Sequence, residues 1–364
     1  MSKIFLVDLE AVETRYTKQW KTHVPNILEI LGHDVTVITG PMDIPSATTP
    51  GAFLNFGGTN IYKARQVEQF SRLFCSGAVS SGDHFIFTDA WHPGIINLKY
   101  MSELLGIKVK IHALWHAGSY DPADFLGRLI GDAPWCRHAE VSFFEAVDHN
   151  YFASEFHIDM FVKNLLGMDP DNNKTHGTML ASWRHHKKIV RTGWPMEYMV
   201  KTLEPYGNIE KRNSILFPHR IAPEKQVEIF KDLKKQIPEY EFIVCQETAL
   251  SKDEYHKLLG SAKLVFSANL QETLGISWYE GAVVGAIPLV PDRLSYSEMA
   301  LDAFKYPSEW TENWDSYIEH RDQLVIKIRD YMLNYDNYVD LVKQQADILT
   351  ENYFSAKGLL ANLD

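Results

Sequence analysis

Short apolar runs and longer amphipathic stretches alternate along this chain. The first pair is "KIFLVDL", read as a buried strand, and "TKQWKTHVPNILEILGH", whose apolar residues return at helical spacing up to Gly32. "DVTVIT" is the next strand, and "HFIFTD", "INLKYMSELLG" and "KVKIHALWH" repeat the pattern. Such alternation predicts a parallel sheet covered by helices on both faces. It pauses over residues 165–213, read as loop and linker. It resumes with strands in "NSILFPHR", "YEFIVCQ", "KLVFSAN" and "IPLVP", and helices in "PEKQVEIFKDLKKQIP", "SKDEYHKLLGSA" and "SWYEGAVVGA". From Trp314 the tail is helical. The fold expected is α/β, two doubly wound Rossmann-like domains facing a cleft, over residues 1–195 and 196–345. Residues 346–364 are expected to form a helix packing back on the first domain. Ligands of such sheets sit at the carboxyl ends of the strands.

Composition narrows this picture only slightly. The chain has 364 residues, room for two full cores, and a net charge of -11. An acidic whole argues against a protein wrapped in nucleic acid, while leaving room for one basic patch. Cys75, Cys136 and Cys245 follow no metal-binding spacing, and their odd count suggests a reducing compartment. No apolar run reaches about 18 residues, so no membrane span is expected. A cytoplasmic location follows, in the host cytoplasm if the chain is phage-encoded.

Chemistry concentrates in the second domain. In "LFPHRIAPEKQ" a strand runs into His219 and Arg220, and Lys225 lies five residues on, in the first turn of a helix. Cations beside free N–H groups at a helix start suit a phosphate or diphosphate, although the same pair could be a solvated turn. In "NLQETLGISWYEGAVVGAIPLVPDRLSYSE", Glu272 precedes a helix and Glu280 lies within it, with seven residues between them. Carboxylates accept paired hydrogen bonds from sugar diols, and the amides of Thr273, Leu274 and Gly275 are expected to open towards the ligand. Other readings are a helix-dipole acid and a core-edge acid, or a hydrolytic acid/base pair that leaves Arg220 and Lys225 without a role. The one Asp-x-Asp, Asp169 to Asp171, falls in the linker and reads as a solvated turn, so no metal is expected.

"PHR…EK" followed by "QETLGISWYEGAVVGAIPLVPDRLSYSE" resembles the retaining, nucleotide-sugar-dependent GT-B glycosyltransferases. The resemblance implies that Arg220 and Lys225 bind the donor diphosphate and that Glu272 and Glu280 grip the sugar and the ribose. It implies no cofactor beyond a nucleotide-sugar co-substrate, with UDP-glucose or a UDP-pentose such as arabinose favoured, and no obligatory carboxylate base. "FPHR" with "PLVPDRLSYSE" looks most like the tRNA-queuosine mannosyltransferase branch. "LWHAGSYDP", 114–122, is similar to that branch's His-containing loop, which places His116 near the anomeric carbon and Tyr120 and Asp121 on the acceptor side. His112, His92 and Asp89 are weaker candidates. The family's Gly-Gly loop after the first strand is replaced by "VDLEAVETRYT"; "NFGGTN", 55–60, has a Gly pair elsewhere and reads as a turn.

The acceptor is expected from "SWRHHKKIVRTGW", where Arg184, His185, Lys187 and Lys188 stand between Trp183 and Trp194. Basic residues interleaved with aromatics suit phosphate contact and stacking on a flipped base; a solvated charge run is the plainer alternative. Phage enzymes that decorate 5-hydroxymethylcytosine share the GT-B architecture, so the partner expected is double-stranded DNA carrying that base. Queuosine in tRNA and small-molecule, polysaccharide or lipid acceptors are the alternatives.

Overall fold

The computed structural model describes residues 2–12, 16–45, 47, 54–131, 133–167 and 188–363. Its strands form two all-parallel sheets in two units. One unit comprises Met1–Pro195 and Ala356–Asp364, the other Met196–Ser355. In the first, β1 (Lys3–Val7), β2 (Asp34–Ile38), β3 (His84–Phe87), β4 (Lys110–Leu114), β5 (His149–Phe152) and β6 (Ile189–Arg191) lie in the order β2-β1-β3-β4-β5-β6. The order reverses at β1, whose two neighbours are β2 and β3. Central strands of a parallel sheet are covered on both faces, which is why β3 is apolar apart from its first residue and buried throughout. Phe5 and Phe85 stack at 4.6 Å, and Phe70 from the helix Phe56–Cys75 packs edge-on against Phe85 and Phe87.

Two expectations fail in this unit. Residues 165–213 are not only linker: they hold β6 here and, in the other unit, the helix Tyr198–Leu203. β6 is three residues long and follows a run of bases, so no apolar run announces it. The Gly pair of "NFGGTN" is not a simple turn either. It opens the helix Phe56–Cys75, with the Asn55 side chain accepting a hydrogen bond from Gly58 N at 2.8 Å. Gly58 is needed there because a Cβ would lie 2.5 Å from the Pro45 carbonyl oxygen.

The second unit repeats the topology. β7 (Arg212–Phe217), β8 (Glu241–Val244), β9 (Ala262–Phe266), β10 (Ile287–Pro291) and β11 (Lys305–Tyr306) run in the order β11-β10-β9-β7-β8, reversing at β7. Ile215, Phe217, Phe230, Leu264 and Phe266 form its core. The helix Lys252–Ser261 starts on a capping box of Ser251 and Glu254. This unit extends to Ser355, beyond the expected 345. The helix Val339–Asn352 packs on the helix Ile276–Val283, and Phe354 stacks on Tyr279 at 3.9 Å. Only Ala356–Asp364 returns to the first unit, where Gly358 lies so near Thr192 that a Cβ would fall 2.7 Å from its Cα.

Candidate functional site

In an open parallel sheet the strand order reverses where a crevice opens beyond the carboxyl ends, and ligands settle there. In the second unit that place lies beyond β7 and β9. The segments leaving these strands are laced together. Leu270 N donates to Glu224 O at 2.8 Å, and Lys225 Nζ donates to Gln271 O at 2.5 Å. Gln226 Nε2 donates to Ala268 O at 2.6 Å and to Thr311 O at 2.7 Å. Gln226 holds φ at 54°, a left-handed backbone that a non-glycine residue adopts only when its surroundings fix it. Arg293, just after β10, adds a guanidinium that donates to the carbonyls of Ala268, Asn269, Ser308 and Thr311. No spacing in the sequence marks Arg293 for such a role. Its work is to hold the loop that carries Glu272.

Four charges then pair two by two. Arg220 meets Glu224 at 2.5 Å, and Lys225 Nζ meets Glu272 Oε2 at 3.4 Å. Lys225 is buried, whereas the Arg220 side chain is 35% exposed and so the more reachable cation. Glu272 Oε1 accepts from Gly275 N at 3.0 Å and Leu274 N at 3.5 Å. The amides of Leu274 and Gly275 therefore do not open outwards as expected. The nearest carboxylate takes them, because Gly275 at φ 81° turns the chain back over Glu272. Thr273 is buried in the same turn. Glu280 is also buried, on the helix Ile276–Val283, and its Oε2 accepts from the Tyr255 hydroxyl at 2.9 Å. Burial pushes its carboxyl up to about 7, with Tyr255 and Lys252 pulling the other way.

The first unit has its own crevice at the equivalent reversal, beyond β1 and β3 and continuing past β4. It is a cavity of about 510 Å³ lined by Glu10, Lys63, Asp89 and His116 among aromatic and aliphatic walls. His116 is half-buried. Its Nε2 donates to Thr88 O at 2.6 Å, which leaves Nδ1 to accept from the Tyr16 hydroxyl at 2.5 Å. Trp194 packs on the His116 ring at 4.6 Å and is itself buried, so it supports His116 rather than a stacked base. Asp89 pairs with Lys63 at 3.0 Å. Burial raises the Asp89 carboxyl, but Lys63, His116 and the Trp91 amide outweigh it and hold it at about 2.

The other expected acceptor residues do not gather here. Tyr120 is buried with its hydroxyl on His157 Nε2 at 2.7 Å, and Asp121 Oδ1 accepts from Ala123 N at 3.0 Å. Both serve the loop's own packing, and neither lines the cavity. Lys188 Nζ donates to the Glu145 carbonyl at 2.9 Å and pairs with its carboxylate at 3.3 Å. His112 is enclosed between His84 and His149, and His92 bonds Gln66. Arg184, His185 and Lys187, like Asp169 and Asp171, lie outside the described residues. Glu10, Thr59, Lys63 and Trp91 were not foreseen as a group. Thr59 and Lys63 are four apart on the helix Phe56–Cys75, a signal hidden once its glycines were read as a turn.

No protein-family model and no curated protein matches the chain. Solved structures do. Sucrose-phosphate synthase from Thermosynechococcus elongatus superposes with a TM-score of 0.61 at 9% identity, covering 99% of this chain and 97% of that one. The catalytic domain of starch synthase IV from Arabidopsis thaliana, bound to ADP and acarbose, gives 0.59 at 10% identity, covering 99% and 98%. An alpha-glucosyltransferase in complex with UDP and a 13-mer DNA gives 0.57 at 11% identity, with both chains covered in full. These likenesses establish the fold: two parallel sheets with flanking helices, in the GT-B architecture.

Proposed function

We propose that this protein moves a sugar from a nucleotide diphosphate sugar to a hydroxylated base in nucleic acid, with retention at the anomeric carbon. The observation that carries the reading is the laced pair of segments beyond β7 and β9, which brings Arg220, Lys225 and Glu272 together where the strand order reverses. Arg220 and Lys225 take the donor diphosphate in place of Glu224 and Glu272. Glu272, released from Lys225, accepts sugar hydroxyls, and Glu280 accepts the ribose diol. As the bond from the anomeric carbon to the diphosphate oxygen breaks, the two cations meet the charge that develops on the leaving group. The acceptor hydroxyl attacks the same face and gives its proton to the departing phosphate.

Three considerations support a base as acceptor. The alpha-glucosyltransferase of similar fold was solved with UDP and DNA. The first unit's cavity has the size and apolar lining typical of small-ligand sites. The bases from Arg184 to Lys188 suit backbone phosphates, Lys188 exchanging Glu145 for one of them. The favoured acceptor is 5-hydroxymethylcytosine in double-stranded DNA, and the favoured donor is a UDP-sugar, glucose or arabinose.

The test is transfer of labelled sugar from UDP-glucose, UDP-arabinose and GDP-mannose to hydroxymethylated DNA, unmodified DNA and tRNA. Label is expected on hydroxymethylated DNA alone, with and without EDTA, since Arg220 and Lys225 do the neutralising. Label on tRNA or only on a small saccharide or lipid overturns the acceptor. Activity lost in EDTA and restored by Mg²⁺ overturns the metal-free clamp.

A further inference from the structure

Glu10 follows β1 and sits at the wall of the first unit's cavity, 8% exposed. Its Oε1 accepts the hydroxyl of Thr59, which also lines the cavity. Its Oε2 is buried and has no hydrogen-bond partner among the described residues. A buried carboxylate oxygen without a donor is a standing cost to the fold, and an occupant that brings an N–H or O–H removes it.

The rest of the lining says what kind of occupant fits. Asp89 and Asp124 are the other acids there, and both are engaged: Asp89 by Lys63 and the Trp91 amide, Asp124 by Leu126 N at 3.0 Å. Among the described lining residues Lys63 is the only Lys or Arg, and it is paired. Three carboxylates against one ammonium disfavour an anion. The walls are flat and apolar, with Phe56 and Phe125 stacked at 5.5 Å and Trp91 and Trp135 alongside. Trp135 is 61% exposed and Leu129 is 65% exposed, which gives this cavity an apolar margin. The lining therefore suits a neutral, planar ring that presents a hydrogen-bond donor to Glu10.

We infer that Glu10 selects a cytosine-type ring by accepting its exocyclic amine. The inference rests on the base-transfer reading above and adds the residue that chooses the base. A uracil ring carries a carbonyl where cytosine carries that amine, so it would set an acceptor against an acceptor. A site built around one hydrogen bond rejects the analogue that lacks it far more strongly than a hydrophobic wall rejects a small change of size.

The experiment compares three DNAs identical except for one base: 5-hydroxymethylcytosine, 5-hydroxymethyluracil and unmodified cytosine. The wild type is expected to favour hydroxymethylcytosine over hydroxymethyluracil about tenfold or more in kcat/KM. Glu10→Gln places an amide donor opposite the ring and is expected to narrow or invert that ratio, a change that loss of packing alone would not produce. Should Glu10→Gln melt early, Glu10→Asp serves instead: it keeps the charge, withdraws it by one methylene, and is expected to slow transfer to hydroxymethylcytosine more than to hydroxymethyluracil. An unchanged ratio in the variants, or a wild type indifferent to the two bases, overturns the role of Glu10 and leaves base transfer standing. A wild type that labels neither hydroxymethylated DNA overturns both.

Discussion

Arg220 and Glu280 carry the sharpest consequences for single side chains. Removing Arg220 alone takes a cation from beside Glu224, whose side chain is only 5% exposed, so a loss of rate would be entangled with a loss of fold. The informative variant is Arg220→Ala combined with Glu224→Gln. We expect its melting temperature to stay near that of Glu224→Gln alone while kcat falls about 10²- to 10³-fold, the usual cost of losing one preorganised charge-stabilising group. A double variant that turns over like the wild type would remove Arg220 from the diphosphate site. Glu280 brings a pH dependence. With its carboxyl at about 7, Glu280 is a mixture of acid and carboxylate at neutrality. A ribose diol is best held by the carboxylate. Donor affinity should therefore weaken as pH falls below 7, by up to about tenfold per unit. The sign for folding is opposite: a raised carboxyl adds stability that is complete below its unfolded value and lost as pH rises through about 7. Calorimetric titration of UDP at pH 6, 7 and 8 decides the point, and a flat profile would dissociate Glu280 from the ribose.

Elements add a second titration. His84 on β3, His112 on β4 and His149 on β5 stack in a row across the sheet, at 5.1 and 4.9 Å between rings. Burial, more than the neighbouring positive groups, holds all three below the ordinary histidine value. Each is therefore neutral in the fold and charged in the unfolded chain over the interval below about 6.5, and stability must drop as pH falls through it. For the fully buried His112 the slope approaches about 1.4 kcal/mol per unit. Urea unfolding midpoints at pH 7.5, 6.5 and 5.5 should decline in that order; equal midpoints would mean the row takes up protons without unfolding. β3 and β4 were legible because parallel strands buried on both faces leave apolar runs, whereas β5, HNYF, is half polar and no such run announces it. The charged turn after β7 and the acids after β9 were legible for a related reason: both follow such runs directly. The first unit's cavity was not, since Glu10, Thr59, Trp91 and Trp135 come from four separate segments with no common spacing. Nor could the sequence reveal that Leu274 and Gly275 aim their amides at Glu272, which depends on one left-handed glycine.

For the whole molecule, the net charge of -11 limits how nucleic acid can be held. Arg184, Lys187 and Lys188 are the cations assigned to phosphates, and each contact contributes about 0.9 to the slope of log affinity against log salt. The slope should be no steeper than about -3, and reversing Lys187 and Lys188 to Glu should flatten it by about two. Fluorescence anisotropy of labelled duplex at several salt concentrations measures both, and a slope the double reversal leaves unchanged would place the DNA elsewhere. The path of the chain has a different kind of consequence. Residues 196–355 form one uninterrupted unit, while the other is completed only by Ala356–Asp364, with Leu359 and Leu363 buried and Gly358 against Thr192. Synthesis runs from the amino terminus, so the unit that begins first is the one that finishes last. Every residue of 196–355 is therefore polymerised before the nine, Ala356–Asp364, that the first unit needs. Completion order thus inverts starting order: the inserted unit has all its residues while the unit that encloses it still lacks Ala356–Asp364.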